Sequence, residues 1–127
     1  MKHAYLMLCF LGIFFYTCQS EEKFKSVSVN EFADYLLQPE VQCLDVRTPA
    51  EYFDGHIVGS LNINVQNEAF NQMADSLLDK SQPVAVYCRS GNRSKKAAKI
   101  LSKKGYNVIE LDKGFNSWTK AGKEIEK

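Results

Sequence analysis

The chain has 127 residues, a length that suits one domain. Its 16 basic and 15 acidic residues give a formal net charge of +1, which offers no support for a nucleic-acid-binding protein or for an acidic partner. Apolar residues at 45% and charged residues at 24% are ordinary for a globular protein and argue against a disordered chain.

The first segment has the pattern of a secretory signal peptide. Lys2 and His3 form a positive n-region. The almost wholly apolar run 4–16 has the length of an h-region and is short for a membrane span. We therefore expect residues 1–18 to be a signal peptide and the protein to be exported.

The end of this leader leaves two alternatives. The sequence Phe15-Tyr16-Thr17-Cys18 resembles a loose bacterial lipobox, which predicts lipidation at Cys18. Ordinary cleavage after Ser20 is the alternative. Lipidation would give a periplasmic, outer-membrane or surface lipoprotein of a bacterium, held on the membrane by its lipid anchor.

The leader is followed by a predicted tether at residues 19–25 and a predicted folded domain at residues 26–127. Val27 and Val29 alternate with serines, which predicts a first strand. Asn30 is predicted to cap the next helix, and Pro39 to end it. The run 41–46 is nearly continuous in apolar residues and predicts a strand that is covered on both faces.

Charged residues follow this second strand. Thr48 and Pro49 predict the N-cap and first position of a short helix. We interpret Asp45, Arg47 and Glu51 as an ion-pair and hydrogen-bond network that supports the loop, rather than as catalytic residues. After a tight turn at Gly55, a histidine at position 56 is expected to bond the backbone rather than to act as a base.

The rest of the chain alternates helices and strands. The predicted elements are a strand at 60–63, a helix at 67–78, a strand at 83–87, a helix that includes 95–101 and ends at Gly105, a strand at 107–111 and a last helix from Gly114. Trp118 is expected to pack in the core. The alternation predicts an α/β fold with a single, largely parallel sheet and helices on both faces.

The stretch with the most chemistry is residues 88–94, Cys-Arg-Ser-Gly-Asn-Arg-Ser, which we call the Cys88 loop. It joins a predicted buried strand to a predicted helix, the position where open α/β sheets bind ligands. Backbone N–H groups and a helix N-terminus favour negative charge there, and Arg89 and Arg93 add two cations. We therefore expect Cys88 to be a thiolate at neutral pH, since such surroundings favour the charged form.

The Cys88 loop resembles the active-site loop of the rhodanese-like sulfurtransferases. Residues 45–63 resemble a second motif of that family, with Asp-Val-Arg, a Glu-aromatic pair, Gly-His-Ile and Gly-Ser-Leu-Asn-Ile. Where the family usually has two adjacent glycines, this chain has Lys113-Gly114.

The resemblance implies a rhodanese-like fold and a sulfurtransferase. Cys88 would be the catalytic nucleophile that carries a persulfide. The implied substrate-binding residues are Arg89, Ser90, Gly91, Asn92, Arg93 and Ser94. The implied reaction takes sulfane sulfur from a small anion such as thiosulfate and passes it to a thiol or cyanide, with both arginines holding the departing anion.

The alternative functions are a cysteine-dependent phosphatase and a non-catalytic or redox sulfur-binding module. Cysteine-dependent phosphatases use a similar loop with five residues between cysteine and arginine, whereas four residues separate Cys88 from Arg93. A redox role is not supported, because there is no Cys-x-x-Cys and Cys43 lies in a predicted strand and is expected in the core. A non-catalytic rhodanese-like domain would commonly lack the cysteine, which this chain keeps at position 88. No metal-ligand spacing or nucleotide loop is present, so we expect neither metal nor cofactor, and we expect a monomer.

Overall fold

The computed structural model of the protein describes residues 23–127. The predicted signal peptide, Cys18 and most of the predicted tether therefore lie outside the described residues. The strands are β1 Phe24–Val27, β2 Gln42–Asp45, β3 His56–Ile57, β4 Leu61–Asn62, β5 Val84–Tyr87, β6 Val108–Leu111 and β7 Ile125–Glu126. The helices are α1 Val29–Leu36, α2 Pro49–Asp54, α3 Phe70–Leu77, α4 Asn92–Lys103 and α5 Gly114–Lys120.

Five of the strands form one sheet in the order β1-β6-β5-β2-β4, and every pairing in it is parallel. Strands β3 and β7 form a separate antiparallel pair. The α/β fold with a largely parallel sheet that the sequence predicts is therefore confirmed. The short pair β3–β7 was not predicted, because two-residue strands carry too little periodicity to be recognised.

Successive residues of β5 point to opposite faces of the sheet, and each face has its own core. Val84 and Val86 pack with residues of α3 and α4 on one side. Ala85 and Tyr87 pack with Phe32 of α1 and Trp118 of α5 on the other. Helices thus cover both faces, and Trp118 lies in the core as predicted.

The beginning of the domain differs from the predicted boundaries. Strand β1 starts at Phe24, which pairs with Val108, so the last residues of the predicted tether belong to the sheet. The N-cap of α1 is Ser28, whose hydroxyl accepts a hydrogen bond from the backbone N–H of Glu31, and Asn30 lies inside the helix. Pairing with a distant strand, which local patterns do not show, fixes this boundary.

Within residues 23–127 the structure contains no helix with the length and apolar character needed to cross a membrane.

Candidate active site

The Cys88 loop lies at the carboxyl edge of the sheet. Cys88 directly follows β5, the central strand in the order of the sheet, and α4 begins four residues later at Asn92. Gly91 makes the turn between them with φ of +110°. The predicted strand, loop and helix are therefore present, with the cysteine where the strand ends.

The sulfur of Cys88 is enclosed by its own loop. The residue is only 1% exposed. The backbone N–H of Gly91 donates to Sγ at 3.1 Å, and the thiol contacts the Ser94 hydroxyl at 3.3 Å. A side chain at Gly91 would collide with the backbone carbonyl of Asp112, so only glycine allows this close turn. The loop therefore aims a backbone donor at the sulfur.

The Lys113-Gly114 turn packs directly against the Cys88 loop. The N–H of Phe115 donates to the carbonyl of Cys88 at 2.7 Å, and the N–H of Asn116 to that of Arg89 at 3.0 Å. Gly114 has φ of +66°, and a Cβ there would collide with the backbone of Cys88 and Arg89. A single glycine is therefore enough to hold this turn on the loop.

Glu51 holds the two arginines of the loop. Arg93 forms a bidentate pair with it, Nη1 to Oε1 at 2.7 Å and Nη2 to Oε2 at 2.9 Å. Arg89 donates from Nε to Oε2 at 3.1 Å. The sequence assigned both guanidinium groups to a bound anion, whereas in the structure both already pair with a carboxylate. Arg89 is the more exposed of the two, and its guanidinium makes no other hydrogen bond to a described residue, so its outer nitrogens face solvent.

A helix cap orients Glu51. Thr48 and Glu51 form a capping box at the start of α2, with Pro49 at the first helical position. Thr48 and Pro49 are in the positions that the sequence predicted, whereas the part of Glu51 in the cap was not predicted. The bidentate bond from Arg93 and the bonds from Thr48 and Arg89 hold the pKa of Glu51 well below its usual range, although partial burial opposes the shift. Glu51 is therefore a firmly ionised anchor for the loop.

The predicted Asp45-Arg47-Glu51 network is correct only in part. Arg47 donates to both carboxylate oxygens of Asp45, at 2.7–3.1 Å, and to the backbone carbonyl of Gly55 at 2.7 Å. Its guanidinium lies 4.3 Å from the ring centre of Phe115. Asp45 and Arg47 are buried and tie the loop after β2 to α5, while Glu51 bonds the Cys88 loop instead.

His56 and Cys43 were predicted to be structural rather than catalytic. The ring of His56 is bonded to the carbonyl of Tyr52 at 2.8 Å and to Glu126 at 3.2 Å, as expected for a structural histidine. Cys43 packs, partly buried, against the core that contains Tyr87. Burial and the neighbouring Asp45 raise the pKa of the Cys43 thiol, which makes it a poor nucleophile.

A small pocket opens beside the Cys88 loop. Its volume is about 170 Å³, and it is lined by Arg47, Glu51, Asp54, Gly55, Arg89, Phe115, Asn116 and Thr119. Ser90 and Asn92 are exposed at the surface of the loop. Pockets for drug-sized ligands are several hundred Å³, so this space suits a small ion better.

Sequence reasoning missed Glu110. This residue of β6 is 0% exposed, and its carboxylate accepts hydrogen bonds from Ser26, Ser94 and Lys95. A single acidic residue inside a short apolar strand that helices cover on both faces was the available signal, because an unpaired buried charge is costly. Its partners lie far along the chain, so the sequence alone did not name them.

Acid should remove the stabilisation that Glu51 provides. In an unfolded chain a glutamate titrates near pH ~4.3, whereas the folded protein keeps Glu51 charged to lower pH. The ion pairs therefore contribute fully above that pH and are lost as the pH falls further. Glu51→Gln should lower the free energy of unfolding by about 2 kcal/mol at neutral pH, with the deficit shrinking in acid.

Urea unfolding of both proteins at several pH values measures this difference. Glu31→Gln is the matched control, because Glu31 is exposed and makes only a 3.7 Å ion pair with Lys25. A deficit for Glu51→Gln that stayed constant down to pH ~3 would contradict the ion-pair explanation.

Comparisons of the sequence and the fold with known proteins return related domains. A family model described as Rhodanese-like domain matches residues 28–121. The chain is 36% identical over 100 residues to the thiosulfate sulfurtransferase GlpE of Shewanella oneidensis, covering 77% of this chain and 95% of the relative.

Solved structures show the same fold. A rhodanese-related protein from Thermoplasma volcanium superposes with a TM-score of 0.70 at 28% identity, covering 80% of this chain and 97% of that one. A rhodanese-like domain protein from Staphylococcus aureus gives a TM-score of 0.68 at 28% identity, with 81% and 99% covered.

Proposed function

Because the chain belongs to the rhodanese-like domain family, we propose that it is a thiosulfate sulfurtransferase that acts through a persulfide on Cys88. The observation that carries the proposal is the position of the Cys88 sulfur. It lies at the end of the central strand and is bonded to the Gly91 N–H, in a loop whose Arg89 lines a pocket of about 170 Å³. The Gly91 N–H is aimed at Sγ, the atom on which negative charge forms during sulfur transfer.

In the first half-reaction the Cys88 thiolate attacks the outer sulfur of thiosulfate. A bond forms between Sγ and that sulfur, the S–S bond of thiosulfate breaks, and its electron pair leaves with sulfite. The terminal sulfur of the new persulfide then carries the negative charge. The outer nitrogens of Arg89 are the cation that faces the donor, since Glu51 occupies both Nη groups of Arg93.

In the second half-reaction a nucleophile such as cyanide or a thiolate attacks the terminal sulfur of the persulfide. The bond between that sulfur and Sγ breaks, and its electron pair returns to Cys88 as a thiolate. The Gly91 N–H, 3.1 Å from Sγ, stabilises this leaving group. The cycle needs no metal or external redox partner, because in each step the attacking group supplies the electron pair of the new bond and the leaving group keeps that of the broken bond.

The intact mass of the purified domain, before and after incubation with thiosulfate, tests the proposal. One added sulfur atom on Cys88, removed by cyanide with release of thiocyanate, is the expected result. An unchanged mass with no thiocyanate would refute a thiosulfate sulfurtransferase. Turnover of aryl phosphates by the same sample would favour the phosphatase alternative.

We further propose that the enzyme is exported and lipid-anchored through Cys18. Cys18→Ser should then move the protein from the membrane fraction to the soluble fraction, or block its processing, while sulfur transfer stays unchanged. Fractionation followed by the mass of the mature N-terminus measures this. Wild-type protein found entirely in the soluble fraction, with Glu21 as its first residue, would contradict the anchor and support simple secretion.

A further inference from the structure

A buried carboxylate lies behind the Cys88 loop. Glu110 is in the middle of the sheet, on the face that packs against α4, and it is fully enclosed. Its three partners come from two elements: Ser26 of β1 at 2.6 Å, and Ser94 and Lys95 of the first turn of α4 at 2.5 Å and 3.3–3.4 Å. A buried carboxylate is costly unless it is paired in this way, and an apolar residue would fill the same strand position at lower cost.

The Ser94 hydroxyl links this carboxylate to the reactive sulfur. Its oxygen lies 3.3 Å from the Cys88 sulfur, 2.5 Å from Oε2 of Glu110 and 3.1 Å from the carbonyl oxygen of Gly91, which is a neutral and therefore weaker acceptor. A serine hydroxyl has a single proton to donate. While Cys88 is a thiol, its S–H donates to Ser94, and Ser94 donates to Glu110. A Cys88 thiolate has no proton to give and becomes an acceptor that competes with Glu110 for the same hydroxyl.

We propose that the Ser94 hydroxyl changes its acceptor during the reaction, and that Glu110 is the positioning residue that sets its resting direction. The hydroxyl donates to Glu110 while Cys88 is a thiol or a persulfide, and to Sγ while Cys88 is a thiolate. Glu110 therefore competes with the Cys88 sulfur for this single donor. These chemical steps rest on the sulfurtransferase function proposed above.

The change of acceptor matches the movement of charge on Sγ. In the persulfide the negative charge is on the terminal sulfur, so Sγ accepts weakly and the hydroxyl returns to Glu110. When the acceptor removes the terminal sulfur, the electron pair of the broken S–S bond arrives on Sγ, and Ser94 turns to donate to it. Glu110 keeps its bonds from Ser26 and Lys95 in both states, so it is never left unpaired.

Several charged groups face this pair of residues. Lys95 of α4 bonds both Glu110 and Asp112, which follows β6. Arg93, which is paired with Glu51, also interacts electrostatically with Cys88. None of these changes in the variants chosen below, so their fields act equally on each protein.

The rate of Cys88 alkylation against pH tests the proposal, because alkylation follows the thiolate. Ser94→Ala removes the donor and should shift the midpoint upward by about one pH unit. Glu110→Gln weakens the competing acceptor and should shift it downward, by a few tenths to about one unit. Ser94→Thr, which keeps the hydroxyl, should restore the wild-type curve.

A merely structural role would not shift the alkylation midpoints of Ser94→Ala and Glu110→Gln in opposite directions. Ser26→Ala is the control, because Ser26 bonds Oε1, the oxygen of Glu110 that Ser94 does not use, and its curve should stay with the wild type. If Glu110→Gln does not fold, Glu110→Asp keeps the charge but withdraws it from Ser94, and a downward shift is again expected. An upward shift or no shift for the Glu110 variant, or a shift for Ser26→Ala as large as the others, would overturn the proposal.

The second half-reaction provides a further readout. Discharge of a preformed persulfide by cyanide should slow up to about tenfold in Ser94→Ala and should not slow in Glu110→Gln. Equal discharge rates in both variants would count against the change of acceptor. Alkylation needs no sulfur donor, so it tests the role of Glu110 separately from the proposed function. A wild-type protein that formed no persulfide would refute only the sulfurtransferase function. The alkylation curves would still decide the role of Glu110.

Discussion

Cys88→Ser is expected to abolish sulfur transfer from thiosulfate to cyanide. A serine hydroxyl in the same position is not ionised at neutral pH and forms no persulfide, so kcat/KM should fall by at least about 1000-fold, as on removal of other enzyme nucleophiles. Stability should change little, because the backbone bonds from Phe115 and Asn116 that hold the loop do not involve the Cys88 side chain. Thiocyanate release and the intact mass after incubation with thiosulfate measure the loss.

Cys43→Ser is the matched control. Cys43 is the other cysteine in the part of the chain that the structure describes, and it packs in β2 away from the Cys88 loop. Its activity should stay within about twofold of wild type, since burial and Asp45 raise the pKa of that thiol and leave it unreactive. Activity that survived in Cys88→Ser but disappeared in a folded Cys43→Ser would place the nucleophile at Cys43.

Gly114→Ala should strongly destabilise the protein and disturb the Cys88 loop. The residue has φ of +66°, which costs an alanine about 1–2 kcal/mol, and its new Cβ would overlap the backbone of Cys88 and Arg89. Relief of that overlap must displace either α5 or the Cys88 loop. We expect a total loss of about 4 kcal/mol in unfolding free energy, together with loss of most sulfur transfer. Urea unfolding and the thiocyanate assay measure the two effects.

Gly122→Ala separates backbone strain from the collision. Gly122 has φ of +72°, but a Cβ there meets nothing within 4 Å. It should therefore lose only about 1–2 kcal/mol and keep full activity. Similar losses for the two variants would mean that the contact between α5 and the Cys88 loop contributes nothing beyond backbone conformation.

The parts of the active site that depend on local sequence were predictable. Val84 to Tyr87 is a short apolar run, and the polar loop after it leads into a helix that begins at Asn92, so the strand-loop-helix order followed from residues within one short stretch. The N-cap Thr48 and Pro49 after it are neighbours in sequence and were equally visible, whereas the bond from Glu51 back to this cap was not predicted. Asn30 was wrongly chosen as a cap over Ser28, because both residue types suit that position.

Which side chains are buried and which charges pair with each other could be known only from the tertiary structure. By itself the sequence determined the fold class, the order of the elements and the position of Cys88 at the end of a buried strand, because hydrophobic period and turn residues are local properties. Only the folded chain decided that Glu51 pairs with Arg89 and Arg93, which are 38 and 42 residues away, and that Glu110 contacts Ser94, 16 residues away. The partner of a charge depends on which strand ends meet at one edge of the sheet, and that depends on the strand order rather than on any neighbouring residue.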